Sequence, residues 1–150
     1  MTVALPPTLK IGDVAAHSGL SVKTIRYYDE LGLLSAAVRR GRTGYRLFEP
    51  KIFNRLAFIK RAQSLGLSLE EIKEILAIRD GGELPCDRVK ERLQEKLVAI
   101  AAQIAALEML KSELQTLLAG WQEDPAPEAA QRTICPNLQR DTHERDGQSG

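Results

Sequence analysis

Apolar positions along the chain fall into helical rhythm four times before residue 81 and once, over a far longer span, after it. In Lys10–Ser18 (KIGDVAAHS), Ile11, Val14 and Ala15 recur at helical spacing, and Gly19 closes the run. Ser21 offers a hydroxyl cap to Val22–Leu31 (VKTIRYYDEL), which Gly32 ends. Two short helices joined by a tight, glycine-containing turn are the outline of a helix-turn-helix. Residues 35–48 (SAAVRRGRTGYRLF) lose the helical rhythm. A basic tip centred on Gly41 leads through Gly44 into Tyr45-Arg46-Leu47-Phe48, a pattern that predicts a β-hairpin, and a hairpin in this place is a wing. Glu49-Pro50 opens a third helix to about Leu65, with Ile52, Leu56, Ile59 and Ala62/Gln63 as its buried stripe. After Gly66, Ser68 caps a fourth helix with Glu71 in the capping-box position. Leu69, Ile72, Ile75 and Leu76 face inward there, and Gly81-Gly82 ends it.

From Asp87 to Leu118 the pattern changes period. Leu93, Leu97, Ile100, Ile104, Leu107, Leu114 and Leu118 are spaced by fours and threes, with Lys111 the one exception in the register. This is a heptad seam of nearly four repeats. Such a helix is roughly 50 Å long at 1.5 Å per residue. A small domain cannot bury so long a stripe alone, so the seam calls for a partner helix, and a homodimer supplies one most simply. Gly120 ends the helix. Residues 121–134 (WQEDPAPEAAQRTI) read as a Pro/Ala/Glu loop, followed by Cys135-Pro136-Asn137-Leu138. The expected fold is mostly α: a winged helix-turn-helix over 9–80, a dimerisation helix over 87–120, a loop over 121–138, and a polar, disordered tail over 139–150.

Charge sharpens this division. Residues 1–62 hold 11 Lys/Arg against 4 Asp/Glu, a net of +7, whereas residues 63–150 hold 10 against 16, a net of −6. Only the first half is built to meet a polyanion. No run approaches the roughly 20 apolar residues of a membrane span, and the start lacks a basic-then-apolar signal, so no membrane partner and a cytoplasmic location are expected. Cys86 and Cys135 are too few for a disulfide scaffold and form no CxxC. In a reducing compartment they are buried small hydrophobes, metal ligands or redox sensors.

On the second helix of the motif, the one that enters the major groove, lie Lys23, Thr24, Arg26, Tyr27 and Tyr28. Lys23 and Arg26 suit phosphate or guanine contacts. Arg39, Arg40 and Arg42 at the wing tip suit phosphate or minor-groove contact, with Tyr45 and Arg46 on the returning strand. The competing reading is core packing for the tyrosines and a solvated loop for the arginines. No Ser/His/Asp set and no glycine-rich phosphate loop is present, which leaves an enzyme without support.

The stretch IGDVAAHSGLSVKTIRYYDELGLLSAAVRRGRTGYRLF, continuing through SLEEIKEIL, resembles the MerR family of regulators. The resemblance covers about residues 9–138. It implies a homodimer whose long helices pair antiparallel on double-stranded promoter DNA with an overlong spacer. Effector binding in such proteins bends and untwists the DNA and realigns the promoter for RNA polymerase. PCDRVKERLQEKL resembles the metal-responsive branch, in which a cysteine at the Cys86 position is typical of sensors for divalent ions, and ICPNL resembles the second cysteine of the metal loop. Across an antiparallel dimer, Cys86 of one subunit approaches the loop holding the partner's Cys135. The loop's first cysteine falls at Trp121, which cannot be a ligand. The implied effector is a soft divalent ion: mercury, cadmium, lead or zinc. Two thiolates suffice for linear mercury(II). The other ions need further donors, for which Glu123, Asp124, Glu128 and His143 are at hand. His17 reads as a surface residue of the first helix. Two alternatives stand beside metal response: a thiol-redox regulator of the same fold, and an effector-free architectural DNA-bending protein. Members that bind bulky drugs carry a large extra C-terminal domain, and about 30 residues follow the long helix here.

Overall fold

The computed structural model describes residues 8–42 and 44–140. The chain divides into two compact units, residues 1–98 and 99–150. The first unit holds α1 (Ile11–Ser18), α2 (Val22–Glu30), β1 (Val38–Arg40), β2 (Arg46–Phe48), α3 (Ile52–Ser64), α4 (Leu69–Asp80) and the start of α5 (Cys86–Ala119). The second holds the rest of α5 and a short α6 (Pro127–Arg132).

Local chemistry sets the boundaries of the first unit. Gly19, at φ 74°, ends α1 in the left-handed conformation that glycine takes without a Cβ penalty. Ser21 Oγ accepts from the Thr24 N–H at 3.1 Å and starts α2. Ser68 and Glu71 form the reciprocal capping box of α4: Ser68 Oγ accepts from the Glu71 N–H at 3.1 Å, and the Glu71 carboxylate from the Ser68 N–H at 3.2 Å. The third helix begins later than its sequence suggests. Pro50 and Lys51 form a turn, and the first helical residue is Ile52. A single 3₁₀ turn, Ser35–Ala37, precedes the hairpin.

β1 and β2 pair antiparallel, with Val38 opposite Phe48 and Arg40 opposite Arg46. Leu9 adds a third, one-residue rung: its N–H and C=O exchange bonds of 2.7 and 2.8 Å with Phe48. The segment before α1 is thereby stitched to the wing, and α1 itself packs on α2, α3 and β2.

The core lies within this unit. Val14, Ile25, Leu33, Leu34, Phe48, Ile52, Leu56, Ile59, Ile72 and Ile75 are fully buried, each contributing about 1.5–3 kcal/mol of hydrophobic stabilisation. The stripes expected on α3 and α4 are found, with Leu69 half-buried against the cluster. Arg55 is its polar keystone. The side chain donates from Nε to the Leu33 carbonyl at 2.5 Å and grips Asp80 with both amino groups at 2.7 and 2.9 Å. This joins the turn after α2 to α3 and to the end of α4. Val89 and Leu93 pack the start of α5 onto the cluster. Arg88, Arg92 and Lys96, one helical turn apart, reach Glu74, Glu74 and Glu71 on α4 at 3.4, 2.5 and 3.1 Å.

In the second unit α5 buries no residue. The expected loop over 121–134 contains α6. Pro127 sits in the first turn, where its missing N–H costs nothing, and Glu128-Ala129-Ala130-Gln131-Arg132 are good helix formers. Asn137 is the one buried polar residue among those described. Its Oδ1 accepts from the Gln122 N–H at 2.9 Å, and its Nδ2 donates to the Gln122 carbonyl at 3.0 Å. Gln139 Oε1 accepts from the N–H groups of Ile134 and Cys135, and Arg140 donates to the Gly120 carbonyl at 2.7 Å. Gln139 and Arg140, expected in the polar tail, clasp the loop instead. Residues 141–150, including His143, lie outside the described residues.

Candidate nucleic-acid interface

The nine residues of α2 present two faces. Ile25 and Tyr28, three apart, are buried, whereas Lys23, Arg26 and Tyr27 are exposed. Tyr28 departs from the expected groove-facing role. Its ring is 7% exposed, and its hydroxyl donates to Gln63 Oε1 on α3 at 2.5 Å. Burial raises its phenol above the ordinary value. Tyr27, 51% exposed, stays on the outer face. Thr24 is half-buried and spends its hydroxyl on Ser21 Oγ at 2.9 Å, so it serves the cap.

At the wing, Arg39, Arg40, Arg42 and Tyr45 are exposed. Arg39 pairs with Glu49, which Lys51 also approaches at 3.2 Å. The Lys51 ammonium first, with Arg39 beside it, holds the Glu49 carboxyl below its usual range. Arg46 turns toward α2, with its Nε 2.8 Å from Asp29 Oδ2. Lys23, Arg26, Arg40 and Arg42 have no carboxylate partner among the described residues, so four cations on α2 and the wing remain unneutralised. The structure thus gathers Lys23, Arg26, Tyr27, Arg39, Arg40, Arg42 and Tyr45 as exposed groups, removes Tyr28 to the core, and ties Arg46 to an acid. Asp29, which no local pattern in the sequence marks, thus borders this basic surface.

The two thiols are unpaired. Cys86 is exposed at the first position of α5, and Cys135 is half-buried in the loop after α6. No group of three or more His, Cys, Asp or Glu side chains forms a cluster among the described residues. His17 is exposed on α1, edge-on to Phe53 at 6.0 Å, as a helix-surface residue. Within the first unit an apolar groove of about 990 Å³ opens between α3, α4 and α5, walled by Phe58, Leu76, Leu84, Val89, Leu93 and Leu97. Among the described residues no helix is long and apolar enough to cross a membrane.

Known proteins match over the same regions. A family model described as MerR HTH family regulatory protein matches residues 9–78, and one described as MerR, DNA binding matches 53–117. A relative from Rhizobium meliloti named Heavy metal-dependent transcription regulator 2 is 36% identical over 132 residues, covering 87% of this chain and 84% of its own. The HTH-type transcriptional regulator ZntR of Escherichia coli is 38% identical over 109 residues, covering 72% of this chain and 77% of its own. Among solved structures, the transcription regulator PbrR691 from Ralstonia metallidurans in complex with lead(II) superposes with a TM-score of 0.66 at 28% identity, over 80% of this chain and 93% of that one. Sequence, fold and relatives agree: the chain belongs to the MerR family of helix-turn-helix proteins and is a DNA-binding transcription regulator, not an enzyme.

Proposed function

We propose that the chain acts as a homodimer on promoter DNA and regulates transcription in response to a soft divalent metal ion. The observation that carries the DNA half is the set of exposed, unneutralised cations Lys23, Arg26, Arg40 and Arg42 on α2 and the wing. Lys23, Arg26 and Tyr27 occupy the major groove, and Arg39, Arg40, Arg42, Tyr45 and Arg46 meet the flanking backbone. Thr24 acts through the cap that orients α2. Tyr28 has no part in the interface.

The seam of α5 supports the dimer. Leu97, Ile100, Ile104, Leu107, Leu114 and Leu118 are 48–67% exposed in the single chain. Leu93 and Leu97, at the start of the seam, also wall the apolar groove of the first unit; the seam is the surface offered to a second copy, whose long helix packs antiparallel. Two recognition helices then sit at a fixed separation on a promoter with an overlong spacer. The dimer bends and untwists that spacer in response to its effector, which realigns the promoter for RNA polymerase.

A metal-dependent relative and a lead-bound structural neighbour favour a metal effector over thiol oxidation. Cys86 and the partner's Cys135 supply the thiolates. This donor set fits a two-coordinate ion, which makes mercury(II) the first choice. Zinc, cadmium and lead need additional donors that the described residues do not gather around either thiol. Anaerobic titration of the reduced dimer with mercury(II), read by thiolate-to-metal absorption, should saturate at about one ion per subunit at a stated pH. Cys86→Ser should abolish both the absorption and the promoter response. A full metal response from that variant sinks the site, and a response to oxidant alone favours the redox alternative.

A further inference from the structure

Asp29 is an acid placed in the basic face of a protein that binds a polyanion. Such a charge repels phosphate, so its presence calls for a compensating role. It lies near the end of α2, and its side chain is 10% exposed, against 47% for Arg46. Only Oδ2 is engaged, by Arg46 Nε at 2.8 Å, while Oδ1 is buried with no partner among the described residues. Burial pushes the Asp29 carboxyl upward, Arg46 pulls it back, and Glu30 beside it pushes upward again. A pair held purely for stability would satisfy both oxygens, because a buried unsatisfied acceptor costs about 1–3 kcal/mol.

The geometry at Arg46 shows what the acid does. A guanidinium has five N–H donors in a rigid fork. Asp29 meets the guanidinium at Nε as an ion pair, and no hydrogen bond from either terminal amino group of Arg46 is found among the described residues. Those two groups are the ones that grip a phosphate bidentately. Arg46 stands at the first residue of β2, and Asp29 comes from the recognition helix, so the contact also fixes the wing strand to that helix. Held at one edge, a long flexible side chain loses less freedom when it meets its ligand.

We propose that Asp29 is a positioning residue for DNA binding: it clamps Arg46 by one edge so that the free fork is presented to a backbone phosphate, in register with α2. The proposal rests on the DNA-binding reading above and makes a prediction opposite in sign to simple electrostatics. Removing an anion beside DNA should tighten binding. Removing a clamp should loosen it.

The test is a double-mutant cycle on the full-length chain. The probe is a duplex selected by the wild-type chain from a random-sequence library, with affinity measured at several salt concentrations. Asp29→Asn should weaken binding about three- to tenfold, as expected for leaving one long side chain to be ordered on binding. It should leave the salt slope unchanged, because Arg46 still reaches its phosphate. Arg46→Gln should weaken binding and lower the slope of log K against log salt by about 0.9. In the Arg46→Gln background, Asp29→Asn should cost nothing further. Tighter binding by Asp29→Asn overturns the clamp, and so does an unchanged slope in Arg46→Gln. Equal weakening by Asp29→Asn in both backgrounds assigns Asp29 to the fold alone and overturns it too. A wild-type chain without salt-dependent duplex binding fails at the interface itself, a result distinct from all three.

Discussion

The two units of this chain solve the problem of burying apolar surface in different ways. Between Leu9 and Leu76 every stripe finds its cover inside one unit, and the fully buried side chains all lie there. Over residues 99–119 leucine and isoleucine are at least as frequent, yet α5 buries nothing and its seam lies open. Helical periodicity alone does not separate the two cases, since α3 and α5 both carry a stripe. Length does: the 13 residues of α3 are covered by neighbouring elements, whereas the 34 of α5 exceed them. The first unit thus holds its own core, and the second leaves a seam that the proposed dimer covers.

The strongest way to break this contrast is to charge the seam. Ile104→Asp places an unpaired carboxylate in the dimer interface, twice per dimer. The expected cost of several kcal/mol raises the dimer dissociation constant at least about 100-fold. Sedimentation should show monomers at concentrations where the wild type is dimeric. Tyr27, Tyr28 and Tyr45 all lie in the first unit and Trp121 in the second, so near-ultraviolet dichroism reads the two separately. The tyrosine signal should survive dissociation. A dimer unaffected by Ile104→Asp removes the seam from the interface. A tyrosine signal that collapses with the dimer means the first unit is not self-sufficient.

A second test probes what makes the first unit complete. The Arg55 side chain is 11% exposed and bonded at three atoms to Leu33 and Asp80. Arg55→Ala should cost about 1.5–3 kcal/mol, the range for hydrogen bonds to charged groups, seen as a lower urea midpoint with the slope unchanged. The pair also sets a pH dependence. The Arg55 guanidinium holds the Asp80 carboxyl below its ordinary value of 3.8. The folded state therefore prefers the ionised form. Its contribution is fully present above pH 4 and is lost as pH falls through the lower folded value. Asp80→Asn should lower stability at pH 7 and reduce the further loss on acidification. A variant as acid-sensitive as the wild type assigns that loss to other carboxylates.

Much of this was legible in the sequence because it is local. Ser21, Ser68 and the glycines at 19 and 66 punctuate the helices within a residue or two, since caps and left-handed turns act over one turn of chain. The heptad seam was legible for the same reason. What escaped is non-local or masked. The Leu9 rung is a single residue paired 39 positions away, with no periodicity to announce it. The helix α6 hides behind Pro125 and Pro127, which read as loop, although Pro127 is a helix starter. The Asp29–Arg46 contact joins a helix to a strand across 17 residues, and no local pattern marks it. The proposed thiolate pair has the same root: Cys86 and Cys135 lie 49 residues apart in the sequence, and Trp121 breaks the one local cue.

Tyr27 and Tyr28 give the smallest and most discriminating test, because adjacent residues of one type belong to opposite sides of the contrast. A helix rotates about 100° per residue, so neighbours cannot share a face. Ile25 marks the inward face, and Tyr28 three residues on shares it. The signal was present, but the basic residues around both tyrosines outweighed it. Tyr28→Phe removes only the hydroxyl that bonds Gln63. Both bond partners are part-buried, so the expected loss is about 1 kcal/mol of stability with DNA affinity unchanged. Tyr27→Phe should do the reverse, leaving the melting temperature alone and weakening duplex binding by a few-fold, since its exposed hydroxyl has only the nucleic acid to meet. If Tyr28→Phe weakens DNA binding at constant stability, the buried face of α2 reaches the interface after all, and the division between core and grip within this helix falls.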